Sequence, residues 1–401
     1  MTRAPASRPT AVNRRGHGRD ATVSGIPAIK DLPFTTRLVT ETTAAADIAF
    51  RTGGCITLLA SIAPVVIGHT VPARERDNLP FYAELAELGD VDQSFPRPTE
   101  RVLVRSRPAN PFARAMASGG TVENISFESP YQTVNPALNE WWSGFQTNTF
   151  AHAQHWRHLD GPRPTLCVVH GFMGSAYLLN AAFFSLSWFF QQGYDVLLYT
   201  LPFHGQRAAQ FSPFSGHGFF SHGICGLNEA MAQSIHDFRL FADYLESTGV
   251  QQIGVTGISL GGYTTALLAA TDDRWQVAIP NVPVASIGDL LPGWLPIQPV
   301  LDQGLRWGSI DKELTVRALR YSSPLTYPAR VPHDRRFIVV GLGDRLAPPA
   351  QSEMLWQHWD HSQLHWFPGN HILHLGQPQY LRAMARFMSG NGFAPVEWTR
   401  A

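Results

Sequence analysis

The chain is predicted to be an α/β protein with a mostly parallel central sheet covered by helices on both faces, and three observations predict it. From Thr165 onward, short β-branched or aromatic apolar runs alternate with stretches of helical period, which is the rhythm of βα units. Residues 228–246 set Met231, Ile235, Phe238, Phe241, Ala242 and Leu245 three and four apart, the stripe of a helix lying on a sheet. The apolar run 253–256 leads through Gly257-Ile258-Ser259-Leu260-Gly261-Gly262 into a helical segment at 263–270, so a serine sits on a tight strand-to-helix turn. At 401 residues and 44% hydrophobic, the chain is long enough to bury one large core with additions.

In chain order, residues 1–30 carry Arg3, Arg8, Arg14, Arg15 and Arg19 among prolines and glycines, with no apolar core of a secretory signal. They are read as a flexible basic tail. Residues 31–118 show no rhythm comparable with the rest and are read as an irregular N-terminal extension. Within it, 55–68 is apolar and uncharged but spans only about 14 residues, where a membrane helix needs about 20, and Pro64 interrupts it. A buried or surface-docked helix is the expectation there, with peripheral membrane contact through 55–68 as the alternative.

The main domain is assigned to 119–396. Residues 122–127 are read as its first core strand, followed by strands at 165–170, 194–200, 252–256, 275–279, 336–341 and 363–367, each bounded by glycine, proline or turn residues. Covering helices are expected at 177–192, 349–359 and 377–388. His152, His155 and His158 recur every third residue, so on a helix they would share a broad face able to hold a divalent ion. A wet helix or loop is preferred for this stretch, and no metal is assigned. Residues 285–331 break the strand rhythm with Pro292, Trp294, Pro296, Pro299 and Trp307, plus a helix near 311–321. Insertions at this point of an open sheet lie over the carboxyl ends of the strands, where ligands bind, so this segment is the expected lid.

A serine hydroxyl is a poor nucleophile near neutrality and needs a base within hydrogen-bond reach and a carboxylate to hold that base in the right tautomer. Both are available downstream. Asp344 lies in Gly341-Leu342-Gly343-Asp344-Arg345 after an apolar strand, and His371 lies in Pro368-Gly369-Asn370-His371 after the next. Asp289 and Asp302 are the alternative carboxylates, and His374 and His365 the alternative bases.

With Ser259, Asp344 and His371 following one another in that order, the stretch from Val122 to Met388 resembles an α/β-hydrolase, on the strength of His170-Gly171-Phe172-Met173-Gly174, the turn at Ser259 and the loops at Asp344 and His371. The resemblance implies a nucleophile elbow at Ser259 and an oxyanion hole made by two backbone N–H groups. By position these belong to Phe172, with Met173 as second choice, and to Leu260, where the helix N-terminus adds positive partial charge.

The function expected is that of a serine esterase or lipase-like carboxylic ester hydrolase, working through an acyl-enzyme on Ser259, with an apolar acyl or alcohol pocket lined by Phe172 and by Trp294, Leu295, Ile297 and Trp307 of the lid. Three alternatives share the sequence: an acyltransferase with the same triad, an amidase or peptidase, and a catalytically silent binding protein. Dehalogenase and epoxide hydrolase chemistry is disfavoured, because those relatives place aspartate at the elbow. Thirty-one basic against 31 acidic residues give no net charge and no case for nucleic acid. The elbow lacks phosphate-loop spacing, so no nucleotide or other cofactor is expected. Three scattered cysteines, Cys55, Cys167 and Cys225, read as reduced thiols in a cytoplasmic protein. The oligomeric state has no signature.

Overall fold

The structure is a computed structural model that describes residues 25–67, 70–174, 176–294 and 297–395. The arginines of the expected tail and Leu295 lie outside the described residues, as do the side chains of 54–67, 70–72, Ile297 and Trp307.

Among the described residues nine strands form one sheet in the order β1-β2-β3-β5-β4-β6-β7-β8-β9. They are β1 (Arg105–Pro108), β2 (Gly120–Glu128), β3 (Phe150–His158), β4 (Thr165–Val169), β5 (Asp195–Thr200), β6 (Ile253–Ile258), β7 (Trp275–Asn281), β8 (Phe337–Gly341) and β9 (Gln363–Phe367). The pairs β1–β2, β2–β3 and β3–β5 are antiparallel, and every pair from β5 to β9 is parallel. The parallel strands β4, β5, β6 and β8 are buried along their whole length because both faces of the sheet are covered there, whereas the edge strand β9 is only partly buried. In β4, Cys167 and Val169 join the core beneath the helix Gly223–Ser247, while Leu166 and Val168 join the opposite core beneath the helix Gln377–Gly390.

Three expectations need correction here. The histidine stretch is neither a helix nor a wet loop: it is β3, inside the sheet between β2 and β5. Strand alternation puts His152 and His158 on one face and His155 on the other, so the three never converge. His155 is fully buried, and burial holds its pKa down at about 3, so its ring is neutral packing. The helix expected at 177–192 is two helices, Tyr177–Phe183 and Leu186–Gln191, broken where Ser185 takes a φ of 54°.

The N-terminal extension is not irregular either. Its long helices are α1 (Phe34–Ile67) and α2 (Thr70–Leu88), and it also supplies β1 to the sheet, so the sheet begins before the expected boundary at 119; no described helix is long and apolar enough to cross a membrane. In α2, Leu79, Tyr82, Ala83 and Ala86 make a helical stripe buried in the main core. Buried carboxylates weld it there. Glu75 accepts from Ile224 N at 2.7 Å and Cys225 N at 3.2 Å, capping the helix Gly223–Ser247. Glu229 in turn accepts from Tyr82 Oη at 2.5 Å, from Tyr131, and from Val134 N and Asn135 N at 3.0 Å each.

Candidate active site

The parallel strands bring their carboxyl ends to one rim, and the turn after β6 carries Ser259. Its φ of 58° and ψ of −116° form a conformation that a non-glycine residue holds only under constraint. The constraint is visible on both sides: Ser259 N donates to Asn281 O of β7 at 3.1 Å, and Tyr263 N donates to Ser259 O at 2.9 Å. The helix Leu260–Thr271 can come this close because a Cβ on Gly261 would collide with the Val169 carbonyl. Strain and close packing thus lift the hydroxyl to the rim.

Two strands along, the loop after β8 holds Asp344, 1% exposed. Its Oδ1 accepts from Leu346 N at 2.9 Å and Ala347 N at 2.7 Å, which leaves Oδ2 for His371 Nδ1 at 2.6 Å. Donation from Nδ1 selects the tautomer whose Nε2 is free to accept a proton. The loops interlock with the elbow through β7: Val282, next to Asn281, lies 3.3 Å from a Cβ position on Gly341, and Asn370 O lies 3.5 Å from the same point. No hydrogen bond joins the Ser259 hydroxyl to His371 Nε2 in this structure, a contact that in many hydrolases tightens only when substrate is bound.

Burial pulls the His371 pKa down, but the Asp344 carboxylate, and behind it Asp47, outweigh burial and set it above the ordinary imidazole value. Asp344 itself is pushed up by burial, with His371 opposing. The pair is an imidazole poised to become imidazolium against a fixed carboxylate.

The loop after β4 lies on the elbow, since a Cβ on Gly171 would stand 3.4 Å from the Ser259 Cβ. Among the described residues Phe172 N, Met173 N and Leu260 N donate to no acceptor, so the first-choice and second-choice N–H groups of the loop after β4 are alike unspent, as is that of Leu260 next to the serine. His170 holds this loop in place: its Nε2 accepts from Leu201 N at 3.1 Å and its Nδ1 donates to Gly171 O at 2.8 Å. Burial lowers its pKa to about 4, which keeps it neutral for that role. The Phe172 ring packs against Phe220 and Phe214, with centroids 4.9 and 5.7 Å away, forming an apolar wall next to the free N–H.

The alternative residues go elsewhere. Asp289 is exposed on a short helix, and Asp302 is paired with Lys312 at 2.9 Å. His365 lies within β9, and His374 bonds to Tyr380 Oη at 2.8 Å and to His371 O at 3.1 Å. From the segment 285–331, Trp294 Nε1 donates to Leu346 O at 3.1 Å, which sets that segment against the Asp344 loop.

One residue at the site was absent from the sequence analysis. Asp47 of α1 is fully buried and accepts from the backbones of both the Asp344 and the His371 loops. Its only trace in the sequence is that it is the one acidic residue between Glu41 and Glu75.

Comparison with known proteins bears on the fold and on part of the chain. The family model for the prolyl oligopeptidase family matches residues 227–388, the part that carries Ser259, Asp344 and His371. Uncharacterized proteins from two strains of Mycobacterium tuberculosis, CDC 1551 / Oshkosh and ATCC 25618 / H37Rv, are each 33% identical over 236 residues, covering 57% of this chain and 54% of theirs. The chain thus spans about half the length of the curated relatives it matches. Among solved structures, an acetyl xylan esterase from Paenibacillus sp. R4 aligns with a TM-score of 0.54 at 16% identity, over 78% of this chain and 94% of that one. Acetyl xylan esterase 1 from Thermoanaerobacterium sp. JW/SL YS485 gives the same score and identity over 78% and 93%. At that identity the likeness is one of fold. Fold and motif point the same way, and the chain belongs to the α/β-hydrolase superfamily, with a serine at its elbow.

Proposed function

We propose that the chain hydrolyses carboxylic esters through an acyl-enzyme on Ser259. The observation that carries the reading is the strained Ser259 turn, at φ 58°, on the same rim as a His371–Asp344 hydrogen bond of 2.6 Å. In this mechanism His371 Nε2 takes the Ser259 proton as the hydroxyl oxygen attacks the ester carbonyl. The developing oxyanion is held by the N–H groups of Phe172 and Leu260, each such donor being worth roughly 3 kcal/mol in the transition state. The imidazolium, balanced by Asp344, returns its proton to the leaving alkoxide, and water activated by the same imidazole clears the acyl group.

An ester is favoured over an amide because an alkoxide leaves more readily than an amine, and the aromatic wall of Phe172, Phe214 and Phe220 suits an apolar acyl or alcohol part. The match to the prolyl oligopeptidase family favours amide cleavage as the second reading. A panel of nitrophenyl esters of graded acyl length, run beside a matched amide with Ser259→Ala as control, tests both. Ester turnover that the variant retains would remove Ser259 from the mechanism, and faster cleavage of the amide would replace the ester reading with the second one.

A further inference from the structure

Helix α1 crosses the rim of the sheet and touches both loops that carry the acid–base pair. Thr40, Ala44, Asp47 and Arg51 recur at helical spacing on one of its faces, and Thr40, Ala44 and Asp47 are buried. Thr40 Oγ1 shares its proton between Thr36 O of its own helix at 2.8 Å and Pro368 O at 2.9 Å, Asn370 Nδ2 donates to Thr43 O, and Arg51 Nη1 donates to Arg345 O at 3.2 Å. Asp47 occupies the centre of this face. Its Oδ2 accepts from Arg345 N and from His371 N at 2.9 Å each, and its Oδ1 accepts from Ile372 N at 3.2 Å. One carboxylate therefore joins the residue after Asp344 to His371 and the residue after it.

Docking of a helix does not need this group. A fully buried carboxylate with no Lys or Arg ion pair among the described residues is costly, and three backbone N–H groups offset only part of that cost. What the charge adds is an effect on its neighbour. The charged and titratable residues on the elements packed against His371 are Asp344 and Arg345 from the β8 loop, His374 from its own loop, and Asp47 and Arg51 from α1; of these Asp344 bonds the ring, while Asp47 bonds the His371 backbone N–H. Burial lowers the His374 pKa to about 4, so that ring carries no charge near neutrality. Asp47 is thus the second negative charge facing the imidazole, and it favours the protonated form.

We infer that Asp47 is a positioning residue for the acid–base pair: from α1 it clamps the Asp344 and His371 loops together and, by its charge, stabilises the imidazolium that forms during the reaction. The inference rests on the proposed role of His371 as base. Without the clamp the Asp344 loop and the His371 loop are joined by fewer contacts, among them Gly343 N to Gly369 O at 2.9 Å, and small displacements of a base are enough to slow proton transfer steeply.

The test uses the full chain with Asp47→Asn, which keeps the shape and one acceptor oxygen but removes the charge, and Thr40→Val, which loosens the same docking without touching a charge. Two measurements are made: NMR titration of the His371 ring, which needs no substrate, and the pH dependence of kcat/KM on a nitrophenyl ester. Asp47→Asn is expected to move the His371 titration and the acid limb of kcat/KM to lower pH together. Its plateau kcat should fall roughly tenfold, so the ratio of variant to wild-type rate rises as pH falls. Thr40→Val should move neither midpoint. Should Asp47→Asn fail to fold, Asp47→Ser, whose hydroxyl accepts one of the three N–H groups, carries the same comparison. A His371 titration unchanged in the folded variant, or one shifted equally by Thr40→Val, overturns the inference. A shifted titration in a protein that turns over no ester leaves the coupling standing and refutes the proposed function instead.

Discussion

Two carboxylates meet the His371 loop, and they come from opposite ends of the problem. Asp344 lies 27 residues from His371, on the next strand-end loop, while Asp47 lies 324 residues away on a helix that precedes the whole sheet. The first is a local consequence of βα winding, because successive strands deliver successive loops to the same rim. The second exists only because α1 folds back across that rim. A motif can announce the first; no spacing rule announces the second.

The comparison can be broken from its local end first. Ser259→Ala should abolish labelling by a fluorophosphonate and lower ester kcat on the order of 10⁶-fold, since a triad works as a unit. Labelling that survives would mean another nucleophile. Asp344→Asn should cost roughly 10⁴-fold in kcat at unchanged fold, by presenting the wrong tautomer of His371, and circular dichroism together with kinetics checks both halves. If its loss only matches that of Asp47→Asn, the two carboxylates are equivalent and the contrast between them is false. Gly261→Ala, whose methyl group meets the Val169 carbonyl, should lower stability by roughly 2 kcal/mol or more and disturb the elbow, read as a lowered urea midpoint.

The pH profile sharpens the contrast. The proposed mechanism needs neutral His371, whose pKa is raised by Asp344 and Asp47 against burial, so kcat/KM should fall as pH drops through a value above the ordinary imidazole range. An acid limb at or below that range would place another group in charge. Smallest of all, Thr40→Val removes a part-buried hydroxyl that is shared between Thr36 O and Pro368 O and should cost about 1 kcal/mol in a denaturant titration.

The parallel part of the sheet was legible because its strands are apolar runs bounded by turn residues: β4 to β9 fall within a few residues of their expected positions. β3 was not, because Ala151, Ala153 and His155 face one core without forming an apolar alternation, and the threefold histidine spacing imitates a helix. α2 escaped for a related reason. Pro80 within it and its charged residues mask the stripe Leu79, Tyr82, Ala83 and Ala86, whose burial is decided by the helix Gly223–Ser247 against which it lies. The role of His170 as a brace for the loop after β4 likewise depends on the Leu201 N–H across the sheet.

By itself the sequence determined the chemistry on offer and its order along the chain: a serine on a glycine-walled turn, then an aspartate, then a histidine, each behind a strand. These are short-range properties, set by backbone sterics and by period-two burial, and they survive reading in one dimension. Only the tertiary structure decided which aspartate meets the histidine, which N–H groups stay unspent beside the serine, and that a helix from the far N-terminal side closes over both loops with a buried charge. Those depend on where groups far apart in sequence come to rest, and a buried carboxylate is tolerated wherever the fold happens to supply its donors.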